Sequence, residues 1–517
     1  MMRIRWNLLV CVLVLLAPSA RADNDLAAKI NSIIQGPDYR QARWGILAVD
    51  AETGRTVYEH NPDQLFLPAS TTKLYSCAAA LAALGPDYKF ETPVYQRGAV
   101  TDGRLTGDLI LVAKGDLTLG GRTDAHGKMA FKDHDHIYAS FLPGAALTDT
   151  DPLAGLKALA RQVKEAGIRQ VDGEVLIDDR LFPKNRGSGS GPSLLTPVVV
   201  NDNVIDILVS PGAKAGDPAK LLIRPETPLF QIDAQMETVA EGRSPLVHVQ
   251  AAGGQRCVVR GRIPLKSKPL LFIFPVEDPT AFARALFIEA LQREGVKVAA
   301  SPLQSPQVEL PDKAGYANLK RVALFTSPPF AEVIKVTLKV SHNLYASTLP
   351  ILAAVQKGKG TLTEGLRLQR LFLAELGVPV DSISFGGGAG GSNADMVTPR
   401  ATVALLQAMA KRPDYPVYLA ALPVLGVDGT LADVVGADSP ARGKVRAKTG
   451  TLLWHDVMNN RTLLTSKALA GTLTTANGRT LTIAMFVNGV PLPPGVTSTR
   501  EGKVLGRLCE ILVQHGP

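Results

Sequence analysis

The sequence predicts an α+β protein in which strands from both ends of the chain meet in one sheet. A large β-rich segment is inserted after its first major helix. Strand-like runs occur near the N-terminus and again near the C-terminus, with helical runs between them. From about Phe90 to Leu310 the texture changes to short alternating strands among Gly/Pro-rich loops. The length, 517 residues, is enough for two or three domains.

The elements follow in order. "MMRIRWNLLVCVLVLLAPSARADN" has arginines at 3 and 5, an apolar run from Leu8 to Leu16, and the small-residue triplet Ala20-Arg21-Ala22. That is the order of a secretory leader over residues 1–22, with cleavage expected after Ala22 and an exported, periplasmic or cell-envelope protein as the consequence. The apolar run is short for a bilayer span; an uncleaved anchor is the alternative. Val10 stands before Cys11 where a lipid-attachment signal needs a small residue. "RWGILAVDAETGRTVYEHN" reads as two strands joined at "AETG". "TTKLYSCAAALAALG" reads as a helix stopped by Gly85-Pro86. The β-rich region contains "GDLILVA", "GEVLIDD" and one helix, "DPLAGLKALARQVKEAG". Helical patterns return in "FAEVIKVTLKV", "LTEGLRLQRLFLAELG" and "TPRATVALLQAMAKR". The strand-like "KVRAKTG", "ALAGTLTTA" and "RTLTIAMFVNG" and a last helix, "TREGKVLGRLCEILVQ", close the chain. The expected division is 1–22 leader, 23–89 first part of a catalytic domain, 90–310 insertion, and 311–517 second part.

With 46% hydrophobic and 20% charged residues, the chain has the composition of a soluble globular protein. Loss of the leader removes Arg3, Arg5 and Arg21. The net charge then falls from +9 to +6, with 53 basic residues against 47 acidic. No Lys/Arg run is dense enough for a nucleic-acid site. A mild positive charge suits polyanionic surroundings such as a wall or membrane surface. Cys77, Cys257 and Cys509 remain, an odd and widely spaced set: one pair and three buried thiols both fit.

Three short motifs carry the chemistry. In "PASTTKLYS", Ser70 and Lys73 lie three residues apart, one helical turn, so an amine could take the serine proton. "SHN", Ser341 to Asn343, interrupts a helical stretch. "KTG", Lys448 to Gly450, ends a strand-like run. Serine–x–x–lysine, serine–x–asparagine and lysine–threonine–glycine in that order resemble the signature of penicillin-binding proteins and serine β-lactamases. The 271 residues from Ser70 to Ser341 exceed the gap in β-lactamases and most single-domain relatives. The chain therefore resembles the class C low-molecular-mass penicillin-binding proteins, the D-alanyl-D-alanine carboxypeptidase/endopeptidase (peptidase S13) family, which inserts extra domains there. "GDLILVAKGDLTL", "VVVNDNVIDILVSPG", "LPVLGVDGTLAD" and "KVRAKTGTL" carry the resemblance across nearly the whole chain.

The resemblance implies a transpeptidase-like core, an antiparallel sheet with helices on both faces. It implies a serine-type D-Ala-D-Ala carboxypeptidase, with D,D-endopeptidase activity a further option, acting on peptidoglycan stem peptides and acylated by β-lactam antibiotics. No metal or organic cofactor is implied, and no nucleic-acid partner. By resemblance Ser70 is the nucleophile and Lys73 its base. Ser341 relays a proton to the leaving nitrogen, and Asn343 holds Lys73 and the substrate backbone. Lys448 and Thr449 bind the terminal carboxylate. The N–H groups of Ser70 and Thr451 form the oxyanion hole, and Gly450 lets the strand approach the substrate. A β-lactamase or esterase on the same core, or a catalytically weak penicillin- or wall-binding module, are the alternatives.

Departures stand beside the match. The middle motif usually reads Ser-Asp-Asn; here His342 is in its centre. "GGAGG", Gly387 to Gly391, replaces a familiar Asp-Gly-Ser-Gly. Thr451 to Thr465 reads as a long connection next to the site, with Trp454 and His455 in it. "DAHGKMAFKDHDHIY" gathers His126, His134 and His136 with Asp133 and Asp135, as a solvated loop or a metal site. Asp178 fits a contact with the amino end of a stem-peptide side chain and a turn-stabilising role equally well. Cys77 reads as core packing.

Overall fold

The computed structural model describes residues 19–142 and 144–517, so most of the leader expected over 1–22 lies outside the described residues. Among the described residues no helix is long and apolar enough to cross a membrane. The main sheet is antiparallel and runs in the order Val445–Asp456, Arg461–Thr474, Thr480–Asn488, Arg43–Asp50 and Thr56–His60. The short strand Val490–Leu492 adds to Arg461–Thr474. The two ends of the chain meet where Arg43–Asp50 pairs along its whole length with Thr480–Asn488, Arg43 opposite Asn488 and Asp50 opposite Leu481.

Alternation along these strands gives the sheet two apolar faces. Ile46 and Ala48 join the core beneath the helices Ser19–Ile34 and Thr499–His515. Leu47 and Val49 join the core of Thr72–Leu84, Phe330–Lys339, Asn343–Val355 and Pro399–Met409. The helix Thr72–Leu84 is buried without a break from Thr72 to Leu81, so it runs through the middle of that second core. It stops at Gly85, whose φ of 85° suits glycine and whose N–H caps Leu81 O.

The inserted region builds its own sheet: Lys297–Val298, Gln170–Val171, Arg104–Val112, Glu91–Thr101 and Lys320–Thr326, with Val175–Asp178 also on Arg104–Val112. Pairing in this sheet continues past 310, the expected end of the insertion. Two three-stranded sheets lie between residues 204 and 275. Among the described residues the region has two α-helices rather than the one expected. The second, Pro279–Arg293, is apolar nearly all round and so lacks the polar face that betrays a surface helix. Its start was marked by Asp278, which caps the N–H groups of Thr280 and Ala281 ahead of Pro279.

One further expectation changes and one open choice closes. Thr451–Thr465 is not a loose connection: the strand continues to Asp456, turns over 457–460 and returns from Arg461, with Trp454 opposite Leu463. The three remaining cysteines are all buried free thiols.

The insertion is not a separate body. Leu117, Met129, Ile137, Phe182, Leu195 and Val199 belong to the same core as Leu74, Phe330 and Tyr345. A shared core predicts one cooperative thermal transition for the insertion and the helices packed on the main sheet. Phe182→Ala should lower that whole transition, at a cost of about 3–5 kcal/mol. Differential scanning calorimetry checks this; two resolved transitions, only one of them moved by the substitution, would contradict it.

Candidate active site

Ser70 sits in the 3-10 turn Ala69–Thr71, directly ahead of the helix that begins at Thr72. The sequence placed it at the helix start; the tighter turn aims its side chain at the residue one turn on. Lys73 Nζ lies 2.8 Å from Ser70 Oγ. It also donates to Asn343 Oδ1 at 2.7 Å and to the Ala389 carbonyl at 2.8 Å. Lys73 is fully buried. Burial works against its charge more than the Asp135 and Asp395 carboxylates support it, and brings its ammonium down to about 7.

The second motif occupies the break between Phe330–Lys339 and Asn343–Val355. Ser341 takes a φ of 62°, uncommon for serine, and turns the chain so that Asn343 opens the second helix. Asn343 points its Oδ1 at Lys73. Its Nδ2 and its backbone N–H both donate to Asp135 Oδ2, at 2.9 and 2.8 Å. His342 points away from Lys73 into a buried ionic network. Its Nε2 is 3.1 Å from Asp202 Oδ2 and 3.7 Å from Asp135 Oδ1, and its ring stacks on Tyr345.

The third motif runs along the edge strand Val445–Asp456. Lys448 is fully buried, and its Nζ donates to the Thr449 carbonyl at 2.8 Å. Burial first, and then the neighbouring Lys73, hold the Lys448 ammonium well below its usual range. Thr449 Oγ1 is 2.7 Å from Thr430 Oγ1, and Thr451 Oγ1 accepts from Lys467 at 2.9 Å. Gly450 has a packing reason of its own. A Cβ there would stand 2.6 Å from Pro68 O and 3.2 Å from Ala69 Cβ, so the missing side chain lets this strand lie against the Ser70 turn.

The structure thus brings Ser70, Lys73 and Asn343 into direct contact and sets Lys448 beside them. Ser341 is joined to the group through the backbone, two residues from Asn343. The glycine segment 387–391 threads between these parts. At Gly390, φ 83°, a Cβ would meet Ala69 O at 1.9 Å, so this position admits only glycine.

The histidine cluster is solvated only in part: His126 and Asp133 are exposed and His134 is half-buried. Asp135 and His136 are buried. His136 is held between Asp202 and Asp206, at 2.8 and 2.6 Å. Burial opposes its charge, but the two carboxylates prevail and push its imidazolium up to about 9. Arg122 pairs with Asp202 at 2.5 Å, and Arg224 with Asp206 at 2.9 Å. The backbone beneath Asp202 is left-handed at three successive residues, Asn201, Asp202 and Asn203, types that tolerate it best. His126 lies on the exposed part of the same loop. Asp178 takes the turn-stabilising role, bound by Arg180 and by Tyr316 OH at 2.7 Å. Cys77 is fully buried in the core. Trp454 and His455 are exposed on the hairpin that grows from the Thr451 strand.

Sequence reasoning missed Asp135 as a partner of the second motif, and Thr430 as a partner of the third. "GVDGTLAD" contained Thr430 without a chemical cue. Asp135 was visible only inside a histidine-rich loop that suggested metal.

Comparison with known proteins gives a consistent picture. The model of the "D-Ala-D-Ala carboxypeptidase 3 (S13) family" matches residues 26–506. The chain is 29% identical over 451 residues to a D-alanyl-D-alanine carboxypeptidase of Actinomadura sp. (strain R39), covering 83% of this chain and 76% of that one. It is 25% identical over 459 residues to the D-alanyl-D-alanine carboxypeptidase DacB of Haemophilus influenzae, covering 86% and 85%. The crystal structure of penicillin binding protein 4 (dacB) from Haemophilus influenzae superposes with a TM-score of 0.68 at 21% identity, over 92% of this chain and 98% of that one. The last comparison establishes the fold.

The tight approach at Gly450 yields a prediction. Gly450→Ala must push the Val445–Asp456 strand off the Ser70 turn. The variant should fold, with a melting temperature a few degrees lower, while the reactivity of Ser70 toward a serine-directed acylating probe falls by about tenfold or more. Unchanged reactivity would show that the strand–turn spacing does not matter.

Proposed function

The chain belongs to the D-Ala-D-Ala carboxypeptidase 3 (S13) family, and from that premise we propose that Ser70 carries the acyl group in its serine-type D-Ala-D-Ala carboxypeptidase reaction. It is a hydrolase and a penicillin-binding protein. One observation supports the assignment above the others: the set of partners around Lys73. Two of them, Asn343 Oδ1 and Ala389 O, can only accept hydrogen bonds. The third is a hydroxyl, which can donate. An ammonium would donate to all three, but burial brings this amine down to about 7, and its neutral form donates twice and turns its lone pair to the Ser70 O–H. That is the arrangement of a general base before proton transfer.

The proposed sequence runs from there. Ser70 Oγ attacks the carbonyl of the penultimate D-alanine as Lys73 takes its proton. The carbonyl oxygen gathers negative charge facing the N–H groups of Ser70 and Thr451. The bond to the terminal D-alanine nitrogen breaks, and Ser341 passes a proton from Lys73 to that nitrogen. Water then cleaves the ester at Ser70. Lys448 and Thr449 receive the terminal carboxylate. Lys448 is held short of its usual charge by burial, and an arriving anion favours its protonated form, so binding and ionisation reinforce each other. A β-lactam enters the same sequence and leaves its acyl group on Ser70.

The substrate class we propose is the peptidoglycan stem peptide, with D,D-endopeptidase cleavage of cross-links as an additional reaction. The leader expected over 1–22 supports an exported enzyme. Trp454 and His455, exposed on the hairpin that continues the Thr451 strand, offer an apolar face for a peptide or sugar.

Three outcomes test this reading. Penicillin should acylate the peptide containing Ser70, located by mass spectrometry, and the rate should fall about tenfold per pH unit below about 7, where Lys73 becomes protonated. Lys73→Ala should slow acylation by about 10²–10⁴-fold, whereas Lys448→Ala should chiefly raise KM for a D-Ala-D-Ala peptide. Equal binding-type defects in both variants would contradict the roles. Trp454→Ala should leave penicillin acylation within about threefold of normal and reduce cleavage of cross-linked muropeptides more strongly. A parallel loss of both activities and of thermal stability would make the hairpin purely structural.

A further inference from the structure

The strap of the insertion from Met129 to Ile137 reaches across the catalytic domain at three points. The Met129 N–H donates to Glu332 Oε2 at 2.7 Å. Asp133 Oδ1 accepts from the Gly429 N–H at 2.6 Å, next to Thr430, the partner of Thr449. Asp135 Oδ2 accepts both the N–H and the Nδ2 of Asn343. The third contact bears on the chemistry. A side-chain amide can face Lys73 with its oxygen or its nitrogen, and shape alone hardly distinguishes them. A carboxylate on its far side does, because it can only accept and therefore demands the nitrogen. Asp135 is itself held by its own turn, through the Ile137 N–H at 3.2 Å.

We propose that Asp135, supplied by the insertion, is a positioning residue for acylation: it locks the Asn343 amide so that Oδ1 faces Lys73 and the lysine lone pair is left for Ser70. With the amide reversed, Nδ2 would face Lys73, the lone pair would accept from Asn343, and Ser70 would lose its base. The insertion is then part of the catalytic machinery through one side chain. The histidine of the Ser-His-Asn motif serves the same end, because His342 lies between Asp135 and Asp202 and fills the space behind the lock.

The inference rests on Lys73 being the base. The groups facing Lys73 are Ser70 and Cys77 along its own segment, Asn343, Asp135 from the insertion, Asp395 just beyond the glycine segment and Lys448 from the edge strand. Asp135 in turn is faced by His342 and by the two lysines. Its carboxylate raises the Lys73 value. Removing that charge lowers it, so the free base persists to lower pH and the acidic limb of the rate profile moves to lower pH.

The test is Asp135→Asn, close in shape, and Asp135→Ala, assayed on the full-length protein for penicillin acylation and for hydrolysis of a D-Ala-D-Ala peptide across pH 5–9. Asp135→Asn should lower kcat by about 10–100-fold with KM nearly unchanged, and should move the acidic limb to lower pH. Asp135→Ala should be slower still. Asp135→Asn acting at the normal rate with the normal limb would overturn the proposal. So would a loss that follows the melting temperature with the limb unmoved; if Asp135→Ala fails to fold, Asp135→Asn alone decides. Lys73→Ala, measured in parallel, separates the two claims. If it abolishes acylation while Asp135→Asn has no effect, the base stands and the lock falls; if it retains acylation, the base itself is wrong.

Discussion

One buried amine governs the arrangement around it. Lys73 has no access to water, and an isolated ammonium in that position would be strongly disfavoured. The fold meets this by two means. It supplies two fixed acceptors, the Asn343 amide oxygen and the Ala389 carbonyl, and it lets the amine lose its proton near neutral pH. Each of the surrounding elements is placed by that requirement. The helix Thr72–Leu84 must run through the core for Lys73 to be dry. The glycine segment must pass close enough for Ala389 O to reach it. The break at Ser341 must present Asn343. A chain that satisfied the amine with water would need none of these, and would hold a lysine that stays protonated.

The insertion contributes the opposite kind of site, one crowded with charge. Asp202 alone meets Arg122, His136, His342 and the Tyr345 hydroxyl. Such buried networks add little net stability compared with apolar packing, because desolvation offsets most of the attraction. Their use is directional. Each partner is hydrogen-bonded to a particular carboxylate oxygen, so the network helps to define where the strap from Met129 to Ile137 and the helix from Asn343 stand relative to each other. The same carboxylates keep His136 protonated to higher pH than an ordinary histidine. Its stabilising contribution is full below about pH 6.5 and fades as pH rises through about 9. Lys73 gains its neutral form over part of that same interval, so the network weakens as that form accumulates.

Much of this was legible in the sequence, for identifiable reasons. The main sheet could be read because Arg43–Asp50 and Thr480–Asn488 are dense in β-branched and apolar residues and bounded by turns. The helix at Thr72 could be read because Gly85-Pro86 ends it. The three motifs could be read because their order is distinctive. What was hidden depends on pairings between distant residues. Nothing in "KDHDHIY" says that Asp135 turns to Asn343, 208 residues away, since the spacing of a loop carries no information about its partner. The helix Pro279–Arg293 was obscured because, buried on all sides, it lacks a polar face. The hairpin over 451–465 was mistaken for a loop because its exposed apolar residues, Leu453, Trp454, Val457 and Met458, do not alternate with polar ones.

The pairing of Arg43–Asp50 with Thr480–Asn488 carries a consequence for how the molecule is made. Ile46 meets Met485, so the first strand of the main sheet waits for about 440 residues of chain before its central neighbour exists, and loop closure of that length is slow. Synthesis meanwhile completes the sheet of the insertion, whose strands lie nearer one another in sequence. The nascent chain therefore carries a finished platform and an unfinished sheet edge, the kind of edge that invites mispairing. The Ser70 turn is translated early, yet its neighbours in space, Asn343 and Lys448, arrive late, and Lys73 is left in water until they do. Chemical competence is thus the last property this chain acquires, gained only when its final strands close over residues made at the beginning.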